Sequence, residues 1–138
     1  MFFSKISTKM DNQKKKIVII DDETSFLSIF IKALEGAGFE AKGFSDPKEA
    51  LLKMPEEKPD LILLDISMPN FNGFDVFEQL KKEPKTSAIK IIFLTNLGET
   101  VAGTSVDEQY AKGIGAEGYL KKTDDLNYFV KKIQEILS

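Results

Sequence analysis

The 138-residue sequence contains no cysteine, no histidine and no tryptophan. The absence of cysteine excludes disulfides, thiolate nucleophiles and cysteine-containing zinc sites. The absence of histidine excludes a Ser-His catalytic pair and a histidine that carries a phosphoryl group on this chain. Any chemistry must therefore use carboxylates, hydroxyls, amides and lysines.

Long apolar runs are also missing, and so is an excess of basic residues. No run approaches the roughly 20 apolar residues that span a bilayer, and residues 1–16 lack the apolar segment of a signal peptide. The 19 basic residues are outnumbered by 22 acidic ones, so the net charge of -3 argues against a basic nucleic-acid-binding face. We therefore expect a cytoplasmic protein that contacts neither a membrane nor nucleic acid directly.

The composition predicts one globular domain. Hydrophobic residues make up 42% of the chain and charged residues 30%, and a chain of this length can bury roughly two-thirds of its unfolded surface. Residues 1–14 are predicted to be a flexible lead-in and residues 15–138 the folded domain. Because the sequence ends at Ser138, just after the last predicted helix, we interpret it as a single-domain protein, while an excised fragment of a longer protein stays open.

Two hydrophobic periodicities alternate along the chain. Short apolar or alternating runs predict five strands, at residues 16–20, 39–44, 60–65, 88–95 and 115–121. Apolar residues at helical spacing predict five helices, at residues 24–37, 45–54, 73–82, more weakly 106–114, and from about 126 to the end. This alternation predicts an α/β fold, in which helices cover both faces of a parallel sheet.

The ends of these elements carry more specific signals. Thr24 or Ser25 is the expected cap of the first helix, and Thr123 or Asp124 that of the last. The second helix opens with a cap and a proline in its first turn. Residues 96–104 are expected to be a polar loop.

Polar residues follow the predicted strands at the points where those strands end. Asp21 and Asp22 follow the first strand, Asp65 ends the third, Thr95 ends the fourth and Lys122 follows the fifth. Taken singly, each has an ordinary structural explanation as a turn, cap or solvated residue. Because the carboxyl ends of parallel strands meet at one edge of the sheet, we expect these side chains to converge. Three converging carboxylates repel one another, and Mg²⁺ together with Lys122 would supply the positive charge they need.

The residues around these strand ends resemble the receiver domains of two-component response regulators. The resemblance covers about residues 15–137. It rests on Asp21-Asp22-Glu23, on the pattern D-x-x-M-P-x-x-N-G from Asp65 to Gly73, on Thr95, and on Tyr119 three residues before Lys122. It implies a flavodoxin-like fold, a doubly wound five-stranded parallel sheet of order 2-1-3-4-5 with five helices.

The resemblance also implies a reaction and a metal. Asp65 would be the phosphoacceptor, attacking the phosphorus of a phosphohistidine on a sensor histidine kinase or histidine phosphotransfer protein, or of a small acyl phosphate. Mg²⁺ would be bound directly by Asp22, Asp65 and the backbone carbonyl of Ser67, and through water by Asp21. The protein would thus not be an ordinary enzyme, because it would catalyse only its own phosphorylation and dephosphorylation.

The remaining implied roles concern charge stabilisation and output. Thr95 and Lys122 would contact the phosphoryl group, and Lys122 would stabilise its equatorial oxygens. Thr95 and Tyr119 would form a switch, in which the Thr95 hydroxyl moves inward and the Tyr119 ring follows. A downstream protein would then bind the altered surface of the fourth helix, fifth strand and fifth helix. We expect a monomer or a weak dimer.

Two residues of the motif have predicted structural roles. Pro69 is expected to stop the strand without needing an amide partner, and Gly73 to permit the turn into the helix, with a positive φ if the turn requires it.

Two other functions stay open on the sequence alone. One is a receiver-like interaction module that is not phosphorylated and does not bind Mg²⁺. The other is a small Mg²⁺-dependent phosphatase or hydrolase with an aspartate nucleophile, which would turn over phosphate esters repeatedly.

Overall fold

A five-stranded parallel sheet forms the centre of the computed structural model, which describes residues 14–68, 71–96, 100–101, 104–105 and 108–138. The five strands are β1 (Lys16–Ile20), β2 (Glu40–Phe44), β3 (Leu61–Asp65), β4 (Lys90–Thr95) and β5 (Gly118–Lys121). The five helices in the described residues are α1 (Thr24–Gly36), α2 (Pro47–Glu57), α3 (Gly73–Lys82), α4 (Glu108–Gly113) and α5 (Leu126–Leu137). The strand order is β2-β1-β3-β4-β5, so the predicted flavodoxin-like α/β fold is confirmed.

Helices cover both faces of this sheet, as the continuous apolar character of its strands requires. Leu61 to Leu64 of β3 are fully buried, and alternate residues of this run point to opposite faces. On one face the strands pack against apolar side chains of α2, α3 and α4. On the other face they pack against α1 and α5, where the ring centroids of Phe30 and Phe129 lie 4.0 Å apart.

The predicted caps are correct for α2 and wrong for the first and last helices. Asp46 caps α2 by accepting a hydrogen bond from the Lys48 amide, and Pro47 occupies the first helical position, but the helix continues three residues beyond the predicted end. The N-cap of α1 is Glu23, whose side chain makes no capping hydrogen bond. The N-cap of α5 is Asp125, whose carboxylate accepts hydrogen bonds from the amides of residues 127 and 128. In both cases the cap lies one residue away from the predicted pair.

Two short antiparallel strand pairs were not predicted. Residues Ser67–Met68 pair with Phe71–Asn72, in the segment between β3 and α3. Residues Thr100–Val101 pair with Thr104–Ser105, and this pairing extends one residue beyond the stretch predicted to be a polar loop. Hydrogen bonds between neighbouring segments thus order part of these connections, although their sequences lack the apolar alternation that marks a longer strand.

Gly73 begins α3, but the predicted positive φ is wrong. Positive-φ glycines in the described residues are Gly38, Gly115 and Gly118, and Gly73 is not among them. A Cβ atom at Gly73 would instead lie 2.3 Å from the Cα atom of Ile66, so the glycine is required by close backbone approach. Residues 1–13, which include most of the predicted lead-in, and Pro69 lie outside the described residues.

Candidate functional site

Four of the predicted site residues meet at the carboxyl edge of the sheet. Asp21 directly follows β1, Asp65 and Thr95 end β3 and β4, and Lys122 directly follows β5. The side chains of Asp21 and Asp65 are buried, and so is Thr95. Since β1, β3, β4 and β5 lie in parallel in this part of the sheet, their ends place the acidic side chains beside the lysine.

Local hydrogen bonds orient the two buried carboxylates in the same way. Oδ1 of Asp21 accepts a hydrogen bond from the Glu23 amide, and Oδ1 of Asp65 accepts one from the Ser67 amide, each at 3.0 Å. An aspartate that binds the amide two residues later is a common way to begin a turn. In each case the second oxygen, Oδ2, then faces Lys122.

Lys122 is the buried cation of the site. Its Nζ donates hydrogen bonds to Oδ2 of Asp65 at 3.1 Å and to Oε1 of Glu23 at 2.8 Å. The same atom lies 2.7 Å from Oδ2 of Asp21 and 4.8 Å from the centroid of the Phe26 ring. The Lys122 side chain is only 6% exposed, so its contacts with the buried Asp21 and Asp65 are shielded from water. The backbone fixes its position as well, because the Lys122 amide donates to the Thr95 carbonyl at 2.8 Å.

The charges of the site perturb its proton equilibria. The pKa of Asp21 is raised to about 7, chiefly by burial and also by the neighbouring charge of Asp65, while the contact with Lys122 and the hydrogen bond from the Glu23 amide act in the opposite direction. Burial lowers the pKa of Lys122, but the contacts with Asp21 and Glu23 and the charge of Asp65 outweigh it, so this pKa is raised above its ordinary value. Lys122 therefore stays cationic, but its charge does not cancel the increase in the Asp21 pKa that burial causes.

The arrangement of carboxylates fits a hard divalent cation. Asp21, Asp22 and Asp65 each present a carboxylate oxygen, and these three oxygens lie within 4.8 Å of one another. Asp22 is exposed, so the group is open to solvent on one side. The buried Oδ2 of Asp21 has no hydrogen-bond partner among the described residues, although the Lys122 ammonium lies beside it. An oxygen-only ligand set with an unsatisfied carboxylate could bind Mg²⁺.

Thr95, Ser67 and Tyr119 also lie at or near this edge of the sheet. The Thr95 hydroxyl donates to the Asn96 carbonyl at 2.9 Å. Ser67 is exposed and lies two residues after Asp65. Tyr119 lies opposite Phe93 in the register of β4 and β5, half-buried against the face that α2, α3 and α4 cover.

Sequence reasoning missed two neighbours of Lys122. Glu23 belongs to the sequence motif without a predicted role, and Phe26 lies within the predicted first helix. The position of Glu23, directly after two strand-end aspartates, was the available signal. Its contact with Lys122 spans 99 residues of sequence, so no local pattern indicates it.

Comparison with known families agrees with the geometry. Residues 17–134 match the family described as Response regulator receiver domain. The chain belongs to this family. Receiver domains generally serve in signalling rather than as catalytic enzymes, and the acidic group of this receiver is consistent with phosphorylation.

The curated relatives include proteins longer than this chain and a protein of similar length. Over 128 residues the receiver is 37% identical to a "Probable transcriptional regulator ycf27" of Pyropia yezoensis, an alignment that covers 93% of this chain and 49% of the relative. Over 123 residues it is 32% identical to "Protein PilH" of Pseudomonas aeruginosa, covering 89% of this chain and 98% of that protein. The chain thus spans about half the length of the first curated relatives it matches, and nearly all of a shorter one.

Solved structures share the fold over almost their whole length. The Vibrio cholerae chemotaxis protein CheY4 is 27% identical with a TM-score of 0.76, and the match covers 90% of this chain and 99% of that one. A CheY-like receiver domain protein from Methanospirillum hungatei is 28% identical with a TM-score of 0.76, covering 91% and 94%.

The helices of the receiver are short. Among the residues that the structure describes, none of them combines the length and the apolar character needed to cross a membrane.

Proposed function

We propose that this receiver accepts a phosphoryl group on Asp65 from a phosphohistidine of a sensor histidine kinase or histidine phosphotransfer protein. The observation that carries the proposal is the environment of the Asp65 carboxylate. It is 2% exposed at a strand end, 3.1 Å from the Lys122 ammonium, and grouped with the carboxylate oxygens of Asp21 and Asp22. Buried carboxylates that share a cation at the carboxyl edge of a parallel sheet suit phosphoryl transfer better than a structural role.

The transfer exchanges one bond to phosphorus for another. A carboxylate oxygen of Asp65 attacks and forms an O–P bond, while the P–N bond to the donor imidazole breaks and its electron pair stays on the imidazole nitrogen, which then takes up a proton. Charge on the equatorial phosphoryl oxygens is stabilised by the Lys122 ammonium, already placed beside Asp65. The Ser67 amide holds the carboxylate in one orientation during the attack.

Mg²⁺ is the proposed cofactor. Asp22 and Asp65 would bind it directly, with the Ser67 carbonyl as a third protein ligand and Asp21 acting through water. When bound, the ion would neutralise the carboxylates and add positive charge beside the phosphoryl oxygens. The unsatisfied Asp21 Oδ2 and the exposed Asp22 support this assignment.

The proposed output is a change of shape in the surface formed by α4, β5 and α5. A phosphoryl group on Asp65 would draw the Thr95 hydroxyl away from the Asn96 carbonyl, and Tyr119 would move with it. A downstream protein that binds this surface would respond to the change. The proposal assigns no nucleic-acid contact to this chain, whose net charge is -3.

Intact mass after incubation with acetyl phosphate and Mg²⁺ tests the proposal. We expect a single phosphoryl increment in the native chain and in Asp75→Asn, which alters an exposed aspartate of α3. Asp65→Asn and a sample without metal should show none. An increment that persists in Asp65→Asn would contradict the assignment. A native chain that neither gains mass nor binds Mg²⁺ would favour an interaction module, and repeated turnover of phosphate esters would favour a hydrolase.

A further inference from the structure

We propose that Glu23 is a positioning residue that holds the Lys122 ammonium in the unphosphorylated protein and releases it to a phosphoryl oxygen when Asp65 is phosphorylated. This inference rests on the proposed phosphorylation and adds a residue that regulates its rate. It concerns an exchange of partners at one atom, Nζ of Lys122.

The surroundings of Nζ leave little room for an additional partner. Three carboxylate oxygens lie close to it, one each from Asp21 at 2.7 Å, Glu23 at 2.8 Å and Asp65 at 3.1 Å. The Phe26 ring covers it from a further side, with its centroid 4.8 Å away. Nζ donates hydrogen bonds to the oxygens of Glu23 and Asp65 and is ion-paired with that of Asp21, so carboxylates already surround the three N–H donors of the ammonium. A phosphoryl oxygen can therefore gain a strong contact with Lys122 only if one carboxylate gives way.

Glu23 is the carboxylate that can leave at least cost. Asp65 would carry the phosphoryl group and so cannot move away from it, and the Asp21 side chain is fully buried. The Glu23 side chain is 57% exposed, so water can solvate its carboxylate as soon as the contact breaks. Glu23 is also the N-cap residue of α1 without a capping hydrogen bond from its side chain, and its departure leaves the helix unchanged.

The exchange predicts that Glu23 slows phosphorylation. Part of the activation barrier is then the breaking of the contact between Glu23 and Lys122. Partly exposed ion pairs of this kind contribute roughly 0.2–1 kcal/mol, which corresponds to about a 1.4- to fivefold change in rate. Removing the contact should therefore raise the rate of phosphoryl transfer by about 1.4- to fivefold.

Two substitutions of Glu23 separate this contact from the general effect of its charge. Glu23→Gln keeps the length of the side chain and removes the charge. Glu23→Asp keeps the charge and is one methylene shorter, so it loses the 2.8 Å contact. The matched control is Glu49→Gln in the first turn of α2, because the Glu49 side chain is 50% exposed and pairs with Lys53 within the same helix.

The experiment measures initial rates of phosphorylation by acetyl phosphate at saturating Mg²⁺, over a range of acetyl phosphate concentrations. We expect both Glu23 variants to raise the maximal rate constant by about 1.4- to fivefold, with the half-saturating concentration within about twofold of native. Glu49→Gln should match the native chain. Urea unfolding of each variant confirms that the compared chains are folded.

Other outcomes overturn the inference. Acceleration in Glu23→Gln alone, or an equal acceleration in Glu49→Gln, would show that only repulsion of the anionic donor was relieved. Unchanged or slower phosphorylation in both Glu23 variants would show that Glu23 does not compete for Lys122. If the native chain is labelled on Asp65 and the variants behave like it, this inference fails alone. If the native chain is not labelled at all, the proposed function fails and the exchange fails with it.

Discussion

Gly73 has no Cβ atom, and this allows two backbone segments to pack in direct contact. A Cβ atom there would lie 2.3 Å from the Cα of Ile66 and 2.7 Å from the carbonyl oxygen of Asp65. The Gly73 amide also donates to the Ile66 carbonyl at 3.3 Å. The start of α3 is thus packed directly against the backbone that carries the proposed phosphoacceptor.

Gly73→Ala should therefore disturb both stability and the site. We expect the free energy of unfolding to fall by about 1–3 kcal/mol, the usual cost of forcing extra volume into a packed region, and phosphorylation of Asp65 to slow. Urea unfolding and intact-mass kinetics measure the two effects. Gly36→Ala is the control, since a Cβ at this helical position meets nothing within 4 Å and should be neutral or slightly stabilising. Equal behaviour of the two variants would refute the close-approach explanation.

Asp21 gives a second prediction, which concerns pH. Its folded pKa of about 7 lies above the ordinary value of 3.8, so the folded state binds the proton more tightly than the unfolded state. In the absence of metal, this group should make the free energy of unfolding fall as pH rises from about 4 to about 7, and then level off. Stability is thus lost upon ionisation, which is the reverse of an aspartate whose pKa is lowered by its salt bridge.

Asp21→Asn should remove this fall. In EDTA at pH 8 we expect the variant to be more stable than native by on the order of 1–3 kcal/mol, because an uncharged amide replaces a buried carboxylate. The two chains should converge towards pH 4. Urea unfolding at several pH values provides the measurement, with Asp75→Asn as an exposed control that follows the native curve. A less stable Asp21→Asn protein at pH 8 would mean that the pairing with Lys122 outweighs the cost of burial.

At the scale of elements, Glu57 ties the end of α2 to two strands. Its two carboxylate oxygens accept hydrogen bonds from Nζ of Lys16 on β1 and Nζ of Lys42 on β2, each at 2.6 Å. Both hydrogen bonds lower the pKa of Glu57 below its ordinary value, and the one from Lys16 has the larger effect. This cluster lies near the amino ends of the strands, away from the acidic site.

Glu57→Gln should lower the stability of the fold without affecting phosphorylation. Because the folded pKa is lowered, the stabilisation is present above the ordinary pKa of 4.5 and is lost as pH falls through the folded value. We expect the variant to lose about 0.5–1 kcal/mol of unfolding free energy at pH 7 and little near pH 3. Thermal or urea unfolding checks this, with the exposed Glu56→Gln as control. A loss that is independent of pH would point to packing rather than charge.

At the scale of the whole molecule, the sheet separates two apolar cores, and the acidic site lies at the edge where both end. Tyr119 packs against the core that α2, α3 and α4 cover, and it belongs to the strand that leads to Lys122. Tyr128 lies on α5 with 51% of its surface exposed. These two tyrosines therefore report on different parts of the proposed output surface.

Phosphorylation should change the environment of Tyr119 more than that of Tyr128. With fluorotyrosine incorporated, we expect the Tyr119 resonance to shift on addition of acetyl phosphate and Mg²⁺ and to return as the phosphoryl group is lost. The Tyr128 resonance should shift little. In Asp65→Asn the Tyr119 resonance should not shift. An unchanged Tyr119 resonance in a fully phosphorylated chain would reject its role as a switch.

The sequence alone determined the order of elements and the edge at which the site lies. Buried strands such as residues 61–65 are visible because their apolar runs are local, and their polar ends converge because parallel strands point the same way. This convergence groups Asp21, Asp65 and Lys122 from the sequence alone. The family resemblance added the strand order and the proposed roles, and the order is confirmed.

Only the tertiary structure decided which side chains share the lysine and why the glycine is needed. Glu23 and Lys122 are 99 residues apart, and their contact arises because the sheet brings the segment between β1 and α1 close to the end of β5. Gly73 suits a turn by its residue type, but its close approach to Ile66 depends on the path of the chain between β3 and α3. Local patterns record what each segment buries, whereas contacts between distant segments arise only when the sheet brings them together.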